Sequence, residues 1–250
     1  MKKIVISSVL AALVLSACGG GGGSGDDKAT NNAPVPAVNV DAQGIYSGTD
    51  ANNDIVTGVV LDNGTYYFVH VNEAANTLGL VQGTATASNG AFSSTDAIDF
   101  LPSRSVAMHG SITASYIPQS SLNGAFTSAR NGSTSFSTAY STVYDQTPSL
   151  TAIAGTYTGA GATFRGSEIV TFAVGTDGAV RGSGPSGCSF AGTVKIHGTK
   201  NVYDTTVTFG DKCPNSGQTF IGVVTVNGNA LIAAAIHADR SEAFVVAATK

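Results

Sequence analysis

Ile55-Val56-Thr57-Gly58-Val59-Val60-Leu61, then Asp62-Asn63-Gly64, then Thr65-Tyr66-Tyr67-Phe68-Val69-His70-Val71, is the stretch whose reading decides the fold. Two runs rich in β-branched and aromatic residues flank an Asn-Gly dipeptide, which accepts the positive φ values of a hairpin turn. The same punctuation returns at Asn89-Gly90, Asn123-Gly124, Asn131-Gly132, Asp177-Gly178 and Asn227-Gly228. Six such dipeptides predict consecutive antiparallel hairpins. No segment beyond the first forty residues keeps a 3.6-residue apolar stripe for three turns, so the body is read as all-β.

An internal repeat sets the architecture. Gly44-Ile45-Tyr46-Ser47-Gly48 returns as Gly155-Thr156-Tyr157-Thr158-Gly159, and Asp54-Ile55-Val56-Thr57 as Glu168-Ile169-Val170-Thr171, each followed by a turn. Asn123-Gly124 with Arg130 parallels Asn227-Gly228 with Arg240, at a similar offset. Two homologous lobes follow, 41–145 and 146–250, with Pro148 at the break because proline cannot continue a ladder. Strands are expected near 44–49, 55–61, 65–72, 78–87, 91–100, 105–116, 124–130 and 133–140, then 155–159, 167–174, 179–184, 188–196, 203–209, 217–226, 229–237 and 241–248. About eight short-linked strands with one apolar face tend to close and remove their edges, which predicts two small up-and-down β-barrels in tandem. A single long sandwich is the alternative. A membrane pore is disfavoured, because the chain has no Trp for aromatic girdles and alternates apolar residues with Ser, Thr and Gly.

Residues 1–17 read as an export signal. Lys2 and Lys3 precede the apolar run Ile4 to Val14, which is too short to span a bilayer, and Leu15-Ser16-Ala17-Cys18 follows. These four residues resemble the lipobox of bacterial lipoproteins, which implies cleavage before Cys18 and a diacylglyceryl group on its thiol. Covalent lipid is the only prosthetic group implied. Such an anchor tethers a protein to a membrane without spanning it. Residues 18–40 begin with Gly19 to Gly23 and read as a flexible tether, reaching roughly 25–30 Å as a coil.

Because Gly follows Cys18, the Asp that marks inner-membrane retention in Gram-negative lipoproteins is absent, and the resemblance implies the outer membrane. The Cys-polyglycine start is similar to that of surface lipoproteins such as factor H binding protein and transferrin-binding protein B, over about ten residues. It implies display at the surface. Gly187-Cys188-Ser189-Phe190-Ala191-Gly192, Asn201-Val202-Tyr203 to Phe209, Cys213 and Asp239-Arg240 look like uncharacterised outer-membrane lipoproteins of proteobacteria. That likeness spans about the last 65 residues and brings no activity with it.

With Cys18 assigned to lipid, Cys188 and Cys213 remain as an even pair in an oxidising context, which predicts a disulfide. Its loop of about 25 residues corresponds to roughly 3 kcal/mol in the chain-entropy model.

Catalytic and metal signatures are not found in the sequence. Gly182-Ser183-Gly184-Pro185-Ser186-Gly187 matches GxGxxG but leads into a strand, whereas a phosphate loop needs a following helix N-terminus, so it reads as a hairpin loop. His70, His109, His197 and His237 stand far apart without ligand spacing. His237-Ala238-Asp239-Arg240-Ser241 puts three triad residue types on one hairpin tip, where they cannot converge around an oxyanion site. Asp96 and Asp99 fall on opposite faces of a regular strand. Tyr66, Tyr67 and Phe68 alternate faces, so some are core and some are available as an exposed patch.

With only 12 Lys and Arg and a net charge of −4, the chain offers no basic field for nucleic acid. The expectation is a lipid-anchored, non-catalytic binding protein of the outer membrane, with partners meeting hairpin tips such as Ile117 to Asn123 and Gly182 to Gly187. The alternative is a periplasmic carrier holding a small apolar ligand in one barrel, which needs a cavity above about 300 Å³.

Overall fold

Alternation of inward and outward side chains builds two rings of strands. The computed structural model describes residues 40–250 apart from Asn76, residues 102–104 and Asn131. The signal peptide, the Leu15-Ser16-Ala17-Cys18 motif and the tether up to residue 39 lie outside the described residues. The first ring holds β1 (Gly44–Asp50), β2 (Ile55–Val60), β3 (Thr65–Asn72), β4 (Thr77–Thr84), β5 (Thr86–Ser88), β6 (Ala91–Leu101), β7 (Val106–Ile117), β8 (Ser121–Ser128) and β9 (Gly132–Tyr140). It closes because β1 pairs with β9 and β4 with β6, so eight strands form barrel 1 and β5 is a short spur on β6. The run expected at 78–87 is thus split at the buried Ala85, whose N–H donates to Gly64 O.

The second ring is more regular. β10 (Gly155–Thr163), β11 (Gly166–Val174), β12 (Ala179–Ser183), β13 (Ser189–Ile196), β14 (Tyr203–Phe209), β15 (Thr219–Asn227), β16 (Ala230–His237) and β17 (Ala243–Thr249) close as barrel 2 through the β10–β17 pair. The fold is therefore two antiparallel eight-stranded barrels in tandem, and not a sandwich.

The repeat is physical as well as textual. Each barrel is stoppered by a helical turn just before its first strand, Val40–Ala42 in barrel 1 and α1 (Leu150–Ile153) in barrel 2. Tyr46 Oη donates to Ala42 O at 3.0 Å, and Tyr157 Oη donates to Ile153 O at 2.8 Å. Burial pushes the Tyr46 hydroxyl up to about 12 and raises that of Tyr157 for the same reason. Gly48 and Gly159 also correspond: a Cβ on either would overlap the backbone of the last strand, at Ser137 O and Ala247 O. Only glycine permits ring closure there.

One match in the repeat is corrected. Asn123-Gly124 is not a turn but lies inside β8, where Asn123 Oδ1 accepts from Thr138 N at 2.9 Å and a Cβ on Gly124 would strike β7. The turn falls four residues earlier, with Gln119 at φ 52°, and corresponds to the β15–β16 turn at Gly228. Packing overrides turn propensity at this site. Asn89-Gly90 does carry positive φ at both residues, as a type I′ turn requires, whereas Asp177 does not.

Three apolar clusters result. Tyr46, Val60, Tyr66, Phe68, Phe92, Ile112 and Leu122 fill barrel 1, and Tyr157, Phe172, Phe190, Phe209, Phe220 and Phe244 fill barrel 2. The third cluster is the seam between them. Ile45, Val59, Tyr67, Val69, Leu78, Leu80, Ile98 and Phe100 on the outside of barrel 1 meet Ala162, Val223, Ala234, Ala243 and Val245 on the outside of barrel 2. The strands at the seam are thus buried on both faces. Elsewhere Ser and Thr face outward, as along β9 at Ser133, Ser135 and Ser137, so the apolar faces point inward or into the seam, the reverse of a lipid-spanning barrel. No helix among the described residues is long and apolar enough to cross a membrane.

Polar contacts rim the seam. Arg240, from the β16–β17 turn, donates to Asp96 Oδ2 (3.1 Å), Asp96 O (2.7 Å) and Gln82 O (3.0 Å). At another edge His197 lies between Asp204 (2.8 Å) and Asp62 (3.4 Å), and Lys200 Nζ donates to Asp145.

Candidate functional site

Both barrels are closed at the stoppered end and open at the other. In barrel 1 the open end is ringed by the β1–β2 turn, the ends of β3 and β6, and β8 and β9. Tyr66, Phe68 and His70 share the inward face of β3 because side chains alternate with period two. The same rule turns Ala97, Asp99 and Leu101 inward on β6, after the irregularity between Ser94 and Ala97. A cleft of about 420 Å³ results, lined by Asp50, Asn52, Asp54, His70, Asp99, Thr134 and, deeper, Val56, Phe68, Val81, Ile112, Phe126 and Phe136. A Cβ on Gly79 would collide with the His70 ring, so glycine opposite His70 makes room for the imidazole inside the barrel.

The acids of this cleft differ in their partners. Asp50 organises the turn, its Oδ1 accepting from Asn52 N (2.8 Å) and Asp54 N (2.9 Å) and its Oδ2 from Asn52 Nδ2 (3.2 Å). Asp54 Oδ1 accepts from Asn72 Nδ2 at 2.7 Å. His70 stands between the other two carboxylates, with Nδ1 3.9 Å from Asp54 Oδ2 and Nε2 3.5 Å from Asp99 Oδ1. Asp99 is 7% exposed, and its Oδ1 has no hydrogen-bond donor.

Barrel 2 has a cleft of about 360 Å³ at its own mouth, of different chemistry. Arg165, Lys212 and Glu168 line it with Val170, Phe190, Phe209, Phe244 and Cys188. Cys188 and Cys213 form a disulfide across this rim, joining the loop before β13 to the loop after β14, and Glu168 holds the Gly184–Gly187 loop by accepting from Ser186 N and Oγ. The GxGxxG stretch is the β12–β13 hairpin, with Gly182 and Ser183 on the strand and a turn at Gly187.

The remaining candidates fall apart or play other parts. His109 is exposed on β7. At the β16–β17 tip, Asp239 Oδ1 is shared by Ser241 Oγ (2.6 Å), Ser241 N (2.9 Å) and His237 Nδ1 (2.7 Å). Those bonds, the Ser241 hydroxyl first and His237 second, hold the Asp239 carboxyl far below the usual range. The order is wrong for a triad, in which His stands between Ser and Asp. Asp96 and Asp99 do face apart, Asp96 to Arg240 and Asp99 into the cleft. The exposed patch expected from Tyr66, Tyr67 or Phe68 is corrected: Tyr66 and Phe68 are inside barrel 1, and Tyr67 is in the seam. Among the described residues no group of three His, Cys, Asp or Glu is arranged to hold a metal ion.

No protein-family model and no curated protein matches the chain. Among solved structures, transferrin binding protein B from serogroup B Neisseria meningitidis is similar over 78% of this chain, at 12% identity and a TM-score of 0.29. The match covers 51% of that protein's chain, about half its length.

The cleft of barrel 1 was hidden in the sequence because His70, Asp99 and the Asp50–Asp54 turn are widely spaced. The signal that could find it is face parity. His70 follows the inward Phe68 by two, and Asp99 the inward Ala97 by two, so both lie on apolar faces where an ionisable group is uncommon.

Proposed function

We propose that this protein is a lipid-anchored outer-membrane lipoprotein that acts by non-catalytic binding, with barrel 1 presenting the binding cleft. The observation that carries the reading is the mouth of barrel 1, where polar groups converge above a wall of aromatic side chains in a cleft of about 420 Å³. The rest of the barrel interior is packed, so it serves as scaffold for that mouth. The anchoring half rests on the Leu15-Ser16-Ala17-Cys18 motif, with Cys18 as the lipidated residue. Partners are then the membrane, through the lipid, and a protein or small molecule at the mouth.

A second reading, a periplasmic carrier of a small apolar ligand, is favoured by the cleft volume, which exceeds the roughly 300 Å³ such a ligand needs. The three carboxylates at its entrance weigh against a wholly apolar cargo.

One experiment separates the two. Intact cells, lysed cells and cells carrying Cys18→Ala are treated with protease, and palmitate incorporation is followed in parallel. Digestion in intact cells with palmitate on the wild type alone supports surface display. Protection until lysis moves the protein to the periplasm and the carrier reading. Palmitate labelling that survives Cys18→Ala rejects the anchor.

A further inference from the structure

Among the described residues lining the cleft of barrel 1 are three carboxylates and one imidazole and no Lys or Arg, above the rings of Phe68, Phe126 and Phe136. From this lining we infer that the cleft binds a primary ammonium group carried on a compact aromatic or apolar body. The inference deepens the binding reading above and rests on it.

Charge gives the sign of the ligand. Among the described lining residues Asp50, Asp54 and Asp99 outnumber His70, so this lining favours a cation over an anion. The aromatic wall favours the same sign, since a cation is drawn to the face of a ring and the ligand body to its apolar surface. Phe68 and Phe136 stand side by side with centroids 5.5 Å apart.

Hydrogen bonding gives the type of cation. Asp50 Oδ1 and Oδ2 and Asp54 Oδ1 already have donors, but the Oδ1 of the buried Asp99 has none, and His70 Nε2 stops at 3.5 Å. A buried carboxylate oxygen without a donor is costly, and the missing partner is a group that brings both charge and N–H. A primary ammonium offers three N–H donors on a compact centre. A quaternary ammonium would satisfy the charge and the rings but leave Asp99 Oδ1 without a donor. A bare metal ion would leave the aromatic wall unused.

The test is calorimetric titration of the full chain with phenethylamine, N,N,N-trimethylphenethylammonium and 3-phenylpropanoate, with ring-proton shifts of His70 read by NMR to place the probe. Phenethylamine is expected to bind saturably and to shift the His70 resonances. The trimethyl analogue is expected to bind about 10-fold more weakly for loss of its charged donors, and the carboxylate not at all. Asp99→Asn should weaken phenethylamine by about 10-fold or more, while Asp177→Asn, on the β11–β12 turn of barrel 2, leaves it unchanged. Phe136→Ala, on the rim wall, should weaken the same probe and serves if the Asp99 variant fails to fold. Equal binding of all three probes, displacement of the amine by zinc or calcium chloride, indifference to both substitutions, or no saturable binding would each overturn the inference. None of these outcomes affects palmitate labelling or protease accessibility, so the ligand class can fail while the anchored-lipoprotein reading stands.

Discussion

Barrel 2 clips its mouth with a covalent bond, and barrel 1 sets an imidazole and a carboxylate side by side at the corresponding rim. Cys188 and Cys213 join the loop after the third strand of barrel 2 to the loop after its fifth. In barrel 1 the third and fifth strands of the ring, β3 and β6, carry His70 and Asp99 two residues before their ends, and the polar atoms of the two lie 3.5 Å apart. A disulfide fixes a rim against opening, whereas an imidazole and a carboxylate can exchange partners with whatever enters. The shared fold thus carries one mouth that is locked and one that is chemically available, and the stoppered ends, with their equivalent Tyr46 and Tyr157 bonds, stay alike.

The equivalence of the two rings is broken most severely at their closure. Gly48→Val and Gly159→Val each place a side chain against the backbone of the last strand, and each is expected to cost more than about 4 kcal/mol or to prevent folding, read by urea unfolding. A large loss for one and none for the other would show that only one ring needs glycine to close. Next is the seam. Leu80 is fully buried between the barrels, and Leu80→Ala should cost about 3 kcal/mol. Hydrogen exchange should report faster opening in both barrels, since both share that cluster.

The locked mouth is tested by paired Cys188→Ser and Cys213→Ser substitution. A loss of about 3 kcal/mol is expected, with exchange rising first in the 210–218 loop and not around His70. Smaller still, Tyr46→Phe and Tyr157→Phe each remove one buried hydrogen bond to a stopper carbonyl and should each cost about 1 kcal/mol. Matching values would support the stoppers as one repeated device.

The smallest effect is electrostatic. Burial raises the Glu242 carboxyl above its ordinary value, against the Phe164 and Ala243 N–H groups and Arg165 that pull it down. The folded state therefore holds this proton more tightly than the unfolded chain. The resulting stability is full below the ordinary glutamate range and is lost as pH rises through the raised value. Glu242→Gln, which keeps an acceptor for Phe164 N, should flatten that part of the pH–stability profile, measured by thermal melts between pH 3 and about 8.

Strand positions were legible where β-branched alternation and Asn-Gly or Asp-Gly punctuation coincide, as in β2, β3 and β11. They were less so where the residues are small. The strand expected at 155–159 runs on to Thr163, because Ala160 and Ala162 carry little strand propensity yet pack into the seam. The runs Tyr66-Tyr67-Phe68-Val69 and Phe244-Val245-Val246 announce strands buried on both faces, but a one-dimensional pattern does not say what covers the second face. That cover is the other barrel. Of the site, the disulfide followed from cysteine counting, whereas the cleft needed the pairing registers that bring His70 and Asp99 together.

The seam also imposes an order on biogenesis. The strands that cover the apolar flank of barrel 1 are β10 and the final three, β15 to β17. Synthesis from the N-terminus therefore finishes barrel 1, at Tyr140, about 110 residues before β17 ends at Thr249 and its flank is fully shielded. During that interval Tyr67, Val69, Leu80 and Phe100 form a sticky sheet face that a chaperone must guard or a neighbouring chain will seize. A stop codon anywhere within the last three strands would make that interval permanent.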